Sequence, residues 1–182
     1  DPHQADLIGI SLSSRIGKAC YIPLGHESKK CLDKNIVLNK LKPLLEDPSI
    51  KKIGQNIKFD FIVLFKHGIN ISSMEDTMLM SYVLDSGKNR HNMDTLSEIH
   101  LNHKTITFKD LVGSGKKEIN FSKVDIEMAK DYAAEDADIT YRLYKKFHKS
   151  LKEEKMINIY EIFEKPMIKI LAYMEIEGIK IN

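Results

Sequence analysis

Polar and apolar positions alternate and recur along this chain with the periods of short strands and helices. Ala5 to Ser14 partly alternates apolar with small polar residues, as a half-buried strand does, and Ala19 to Leu24 forms a second run after Arg15-Ile16-Gly17-Lys18. This predicts a hairpin ending at Pro23 and Gly25. Glu27 to Asn35 is polar and reads as a loop. Ile36 to Leu45 carries apolar residues at 37, 38, 41, 44 and 45, a helical face stopped by Asp47-Pro48. Lys51 to Gly54 predicts a short strand, and the apolar run Phe59 to Lys66 a helix ended by Gly68. Ile69 to Ser72 is expected to be another strand, and Asp76 to Asp85 a helix closed by Ser86-Gly87. Asp94 to Leu101 follows as a helix capped by Asn92 or Asp94, and Thr107 to Val112 as one or two helical turns. Gly113 to Lys117 reads as a loop, with Ser122 capping a helix from about Val124 and a further break expected before Tyr132. The next helix, Met128 to Tyr144 and onward to Lys149, holds no Pro or Gly. From Lys152 the pattern is helical again, with Pro166 opening a last helix, Gly178 ending it and Ile179-Lys180-Ile181 beyond.

Early strands followed by short strands and helices in alternation give an α/β or α+β layered domain. At 182 residues the chain suits one domain with a short appendage and can bury a core without staples. Charged residues make up 30%, hydrophobic ones 42%, and the net charge is +2. That balance neither supports nor excludes a nucleic-acid partner. Cys20 and Cys31 fit no zinc or redox spacing, so two reduced thiols in a cytoplasmic protein are expected. The longest apolar stretches, such as Phe61 to Phe65, are far too short to span a bilayer, and the first residues have no signal-peptide pattern. Without an initiator Met, Asp1 reads as a cut or an ordering boundary.

Tyr132 and Asp136 stand four residues apart, which places a phenol and a carboxylate on one helix face. A carboxylate can hold a hard cation and a phenol can orient a water, but composition alone yields such pairs and this one decides nothing by itself. Asp60, in Gly54-Gln55-Asn56-Ile57-Lys58-Phe59-Asp60, has two readings. It is a carboxylate favoured by a helix N-terminus, or a metal ligand with Gln55 and Asn56 bonding a substrate backbone. Arg90-His91-Asn92-Met93-Asp94 reads as a solvated connection whose Arg would suit phosphate. Lys116-Lys117 lacks Walker A spacing and reads as a surface loop. His100 and His103 lack further ligands for zinc, and the lysines from 145 to 155 form a wet helix face.

Five segments in order carry more than any one of them. They are 54–60 (Gly-Gln-Asn-Ile-Lys-Phe-Asp), 75–84 (Glu-Asp-Thr-Met-Leu-Met-Ser-Tyr-Val-Leu) and 90–96 (Arg-His-Asn-Met-Asp-Thr-Leu), then 103–108 (His-Lys-Thr-Ile-Thr-Phe) and 132–138 (Tyr-Ala-Ala-Glu-Asp-Ala-Asp). Together they resemble the proofreading 3′–5′ exonuclease domain of bacterial family A DNA polymerases, a DEDDy exonuclease with an RNase H-like fold. The resemblance covers essentially the whole chain and implies a mixed sheet flanked by helices. Its tail, 174–181, is similar to the lead-in to a polymerase domain, so residues 1–150 are expected to be the exonuclease domain and 151–182 the helical lead-in. Asp60 matches the acidic residue of the second family motif, and Tyr132 and Asp136 the third. The resemblance further implies two divalent ions, Mg²⁺ or Mn²⁺ with Zn²⁺ as a further candidate, between four carboxylates and the scissile phosphate. Asp60 and Asp136 would be metal ligands, Tyr132 would orient the water, and Gln55, Asn56, Phe59, Arg90 and Phe108 would line a frayed single-stranded 3′ end of DNA. It implies a monomer with a covalently attached polymerase domain, in the bacterial cytoplasm at the nucleoid, with no membrane partner.

One departure matters. The first family motif, an Asp-x-Glu on the opening strand, is absent, because Ala5 to Ser14 matches the strand after it. The chain therefore offers two of the four carboxylates, and losing that strand should expose pairing edges. Two rival readings follow. One is a catalytically inactive scaffold or DNA-binding module of a family A polymerase, against which the survival of Asp60, Tyr132 and Asp136 argues. The other is an RNA-trimming nuclease of the same type, against which the tail argues. The residues ahead of Asp1 separate enzyme from scaffold.

Overall fold

The computed structural model describes residues 1–27, 30–115 and 118–178. Lys116-Lys117 and Ile179-Lys180-Ile181, singled out above, lie outside them. The elements run β1 (Gly9–Arg15), β2 (Lys18–Pro23), α1 (Lys34–Glu46), β3 (Lys52–Gly54), α2 (Ile57–Phe65), β4 (Met74–Asp76), α3 (Thr77–Asp85), α4 (Met93–Leu101) and α5 (Phe108–Val112). A 3₁₀ turn at Phe121–Lys123 precedes α6 (Ile126–Glu153), and α7 (Ile157–Ile159) passes through a π-helical segment, Tyr160–Glu164, into α8 (Lys165–Glu177).

Two compact units divide these elements: Asp1–Ala5, Leu41–Asn89 and Tyr144–Asn182 form the first, and Asp6–Lys40 and Arg90–Leu143 the second. In the first unit β3 pairs in parallel with β4, Gly54 standing opposite Asp76. Phe61 and Ile62 of α2 are fully buried together with Met80, Leu151, Tyr160 and Ala172. Phe61 and Phe65 stack on each other and both meet Tyr173 of α8 edge-on. In the second unit β1 and β2 form an antiparallel hairpin with a bulge between Ser13 and Arg15, turning at Gly17 with φ +74°. Asp138 of α6 accepts the Gly17 amide at 2.7 Å and pairs with Arg142, which ties the hairpin turn to that helix. Leu111, Val112, Val124 and Ala129 form a buried cluster with Tyr21, Phe121 and Tyr132 packed on it.

Four expectations change. The strand lies at Met74–Asp76 and not at Ile69–Ser72, because the earlier segment bonds to the end of α1: Asn70 donates its amide to Glu46 and Ser72 donates to the Leu45 carbonyl. Ser73, at φ +50°, then turns the chain into β4. The expected break before Tyr132 does not exist, since α6 runs unbroken for 28 residues. Its start is set by Asp125, which accepts the Glu127 amide, while Asn120 and not Ser122 caps the preceding 3₁₀ turn. The first strand begins at Gly9 rather than Ala5, as the carbonyls of Pro2, His3 and Ala5 are taken by the Lys66 ammonium. The lysines at 145, 146, 149, 152 and 155 are exposed as expected.

The β3–α2 turn depends on Gly54. A Cβ there would stand 2.8 Å from Cβ and Cγ1 of Ile57, whose own side chain is buried. Gly54→Ala should therefore cost about 1–3 kcal/mol of stability by overpacking, read as a lower urea midpoint with the slope unchanged.

Candidate active site

The acidic turn of the first unit is built from both ends. Asn56 takes a left-handed conformation (φ 58°, ψ 48°) ahead of α2 and makes no side-chain cap. The cap comes instead from Asp76, whose carboxylate accepts the amides of Asn56 at 3.0 Å and Ile57 at 2.9 Å. The same carboxylate caps α3 by accepting the Met78 amide at 2.9 Å. The buried Thr77 hydroxyl bonds the Gly54 carbonyl at 3.1 Å and the side-chain amide of Gln55. One residue of β4 and one of α3 thus hold the backbone and side chain of the Gln55-Asn56 turn.

Asp60 sits in the first stretch of α2, next to Phe59, and both are exposed. Although the side chain is exposed, the surrounding protein partly desolvates the Asp60 carboxyl. That desolvation, with Asp76 adding negative charge and the helix backbone opposing, pushes it up to about 7. No lysine or arginine among the described residues forms an ion pair with it.

In the second unit Tyr132 and Asp136 lie one turn apart on α6, and the phenol donates a hydrogen bond to the carboxylate. Burial first, then Asp94 and Glu135, push Asp136 up to about 7 against that bond. Burial, with the neighbouring Asp136 and Asp94 charges, also raises the Tyr132 phenol, so it stays protonated at physiological pH. Phe108 is 46% exposed. Its ring stacks on Phe121 with centroids 5.8 Å apart, and both rings meet Tyr132 edge-on at 6.2 Å. Arg90 is exposed ahead of α4.

The structure brings Gln55, Asn56, Phe59 and Asp60 together in the first unit, and Phe108, Tyr132 and Asp136 in the second. Several contributors carried no role in the sequence reading. Glu135 accepts from His103 at 2.8 Å and from the Ile106 amide at 2.7 Å, belting the segment before α5 to α6 and so placing Phe108. Asp94 accepts from Thr105 at 2.7 Å. Phe121, Asp76 and Thr77 support the site residues as described. The only signal for Asp76 and Thr77 was their place inside the 75–84 motif, and for His103 its place in 103–108.

The donor chemistry suits a hard cation: carboxylate oxygens without an ion-pair partner among the described residues, their pKa raised first by burial and then by neighbouring acidic charge. Among the described residues, however, no three His, Cys, Asp or Glu side chains gather closely enough to hold a metal ion. The cavity of about 440 Å³ lined by Glu27, Lys30, Lys123 and Asp125 contains neither Asp60 nor Asp136. No helix among the described residues is long and apolar enough to cross a membrane.

A family profile described as 3′–5′ exonuclease matches residues 1–152. DNA polymerase I of Rhizobium leguminosarum is 41% identical, over 100% of this chain and 20% of its own length. DNA polymerase I of Pseudomonas aeruginosa is also 41% identical, over 98% of this chain and 20% of its own. This chain therefore spans about a fifth of the length of those relatives. Brucella melitensis NrnC matches in structure with a TM-score of 0.75 at 22% identity, covering 98% of this chain and 80% of that one. A further structure of that protein holds bound Mg²⁺. The α/β fold is the RNase H-like one expected from the sequence, but the described strands form two two-stranded sheets, β1–β2 and β3–β4, rather than one mixed sheet.

Proposed function

Since the chain belongs to the 3′–5′ exonuclease domain family of DNA polymerase I, we propose that it proofreads. It removes mismatched 3′-terminal nucleotides from frayed single-stranded DNA for a covalently attached polymerase domain. The observation that carries this reading is the pair of un-neutralised carboxylates, Asp60 and Asp136, each on a motif of the family and each raised toward neutrality. Residues 1–150 form the exonuclease domain and 151–182 the helical lead-in to the polymerase. The protein works as a monomer in the bacterial cytoplasm at the nucleoid.

Asp60 and Asp136 would be ligands of two divalent ions, Mg²⁺ or Mn²⁺ with Zn²⁺ as a further candidate; the Mg²⁺ held by the structural neighbour supports a divalent ion. When bound, such ions lower the pKa of water and offset the charge that builds on the phosphate. The chain's residues do the rest. Tyr132, kept protonated and edge-on to the Phe108–Phe121 pair, orients the attacking water rather than taking its proton. The side-chain amide of Gln55, tied to Thr77, and Asn56 bond the substrate backbone. Arg90 takes a phosphate, and Phe59 and Phe108 offer exposed ring faces to unpaired bases.

Stacking on an aromatic ring is worth roughly 1–3 kcal/mol per base, so Phe108→Ala should raise KM for a single-stranded 3′ end about tenfold or more, with a smaller change in kcat. The reading as a whole is tested by giving the whole protein a 3′-mismatched DNA oligonucleotide with Mg²⁺, beside an RNA of the same sequence. Faster loss of the DNA 3′ nucleotide is expected. Preference for the RNA would favour the RNA-trimming reading, and no hydrolysis of either would favour the scaffold.

A further inference from the structure

The described carboxylates and ions of the first unit include one set that the reaction does not use. Glu75, only 1% exposed, ends no helix and faces no solvent. It is paired with Lys165 at 2.8 Å and Lys51 at 3.2 Å, and it accepts the Tyr160 hydroxyl at 3.0 Å. A buried carboxylate bearing two ammonium partners and a phenol is a costly arrangement in a three-residue strand, and it persists only where several groups fix it together. Tyr160 is fully buried and opens the π-helical segment, a backbone form that often marks a functional position. Its hydroxyl also accepts the Asp76 amide at 2.9 Å. The Asp76 carboxylate, in turn, holds the amides of Asn56 and Ile57 at the head of the helix that carries Asp60.

We propose that Tyr160 and Glu75 are positioning residues for the Gln55–Asp60 turn, acting through Asp76. Lys165 and Lys51 anchor Glu75, Glu75 orients the Tyr160 hydroxyl, and that hydroxyl fixes the peptide of Asp76. Asp76 then sets the left-handed Asn56 and the first turn of α2, and with them the direction of the Asp60 carboxyl. Every link is a hydrogen bond or ion pair inside one compact unit. The chain of contacts connects the π-helical turn to a metal ligand that it never touches. It rests on the reading of Asp60 as a ligand of the catalytic ion.

Tyr160→Phe keeps the ring and removes the hydroxyl, and Glu75→Gln keeps the shape and removes the charge. In the whole protein, with circular dichroism unchanged, both should speed hydrogen–deuterium exchange of the Asn56 and Ile57 amides. Both should also raise the Mn²⁺ concentration for half-saturation roughly tenfold, the usual scale for groups that orient a ligand, while kcat at saturating Mn²⁺ falls far less. A merely structural role would lower the melting temperature and leave the metal requirement where it was. Unchanged exchange at 54–60 together with an unchanged Mn²⁺ half-saturation in both variants would overturn the proposal. Asp60→Ala separates the two readings: wild-type Mn²⁺ affinity in that variant sinks the assignment of Asp60 as a ligand, whereas the exchange of the Asn56 and Ile57 amides still decides the relay.

Discussion

Asp136→Ala should lower the rate of 3′-nucleotide removal by about a thousandfold or more, roughly 4 kcal/mol of transition-state stabilisation, with the fold intact. Asp136 stands on a continuous helix, has no ion-pair partner among the described residues, and is raised to about 7 because burial and the charges of Asp94 and Glu135 surround it. Removing it relieves repulsion, so the variant without added metal should melt no lower than wild type, and somewhat higher at pH 8. That combination, higher stability with lost activity, is the mark of a site kept unfavourable for function. Tyr132 loses its hydrogen-bond acceptor in the variant but keeps its contacts with Phe108 and Phe121. A rate in Asp136→Ala equal to wild type would remove Asp136 from the chemistry.

The second large effect is in pH and metal together. Asp60 and Asp136 are raised above their ordinary range to about 7. A carboxylate raised on folding favours the folded state while protonated, so its contribution is full below about 4 and lost as pH climbs through 7. With metal chelated, the melting temperature should therefore fall between pH 5 and pH 8 on account of these two groups. Glu75 works the other way. Burial pushes its pKa up, but Lys165 and Lys51 outweigh burial and hold it low, so its contribution fades only as pH falls into the acid range. A divalent ion bound by Asp60 and Asp136, as proposed, would have to displace their protons. Its half-saturation concentration should drop up to about tenfold per pH unit for each proton displaced below pH 7, and flatten above. Mn²⁺ titrations from pH 5.5 to 9 read this directly. A half-saturation concentration that does not vary over that range would mean that neither carboxylate titrates with metal binding.

The hairpin, α1, α3 and α4 were legible because alternation, apolar period and stop residues agree there. β4 was not, since Met74-Glu75-Asp76 places two acids in a buried strand. They are tolerated only because Lys165, Lys51, the Tyr160 hydroxyl and four backbone amides meet them from distant parts of the chain. No local pattern announces such partners. Tyr132 and Asp136 could be singled out by spacing, but the order of the motifs around them, rather than the spacing, gave the pair meaning. Glu135 escaped notice for the same reason as Glu75. Its partners His103 and Ile106 are about thirty residues away, and in sequence it is one more acid on a helix. Phe121 carried no reading in the sequence, yet its ring backs both Phe108 and Tyr132.

The central claim, that this chain is a metal-dependent 3′–5′ exonuclease acting through Asp60 and Asp136, is tested most directly by the polarity of degradation. A 5′-labelled DNA strand with a mismatched 3′ end is incubated with the whole protein, with Mg²⁺ and with chelator, beside the Asp60→Ala and Asp136→Ala proteins. The expected result is a ladder that shortens one nucleotide at a time from the 3′ end, only with metal and only with both carboxylates present. Shortening from the 5′ end, or equal shortening by the two variants, would contradict it.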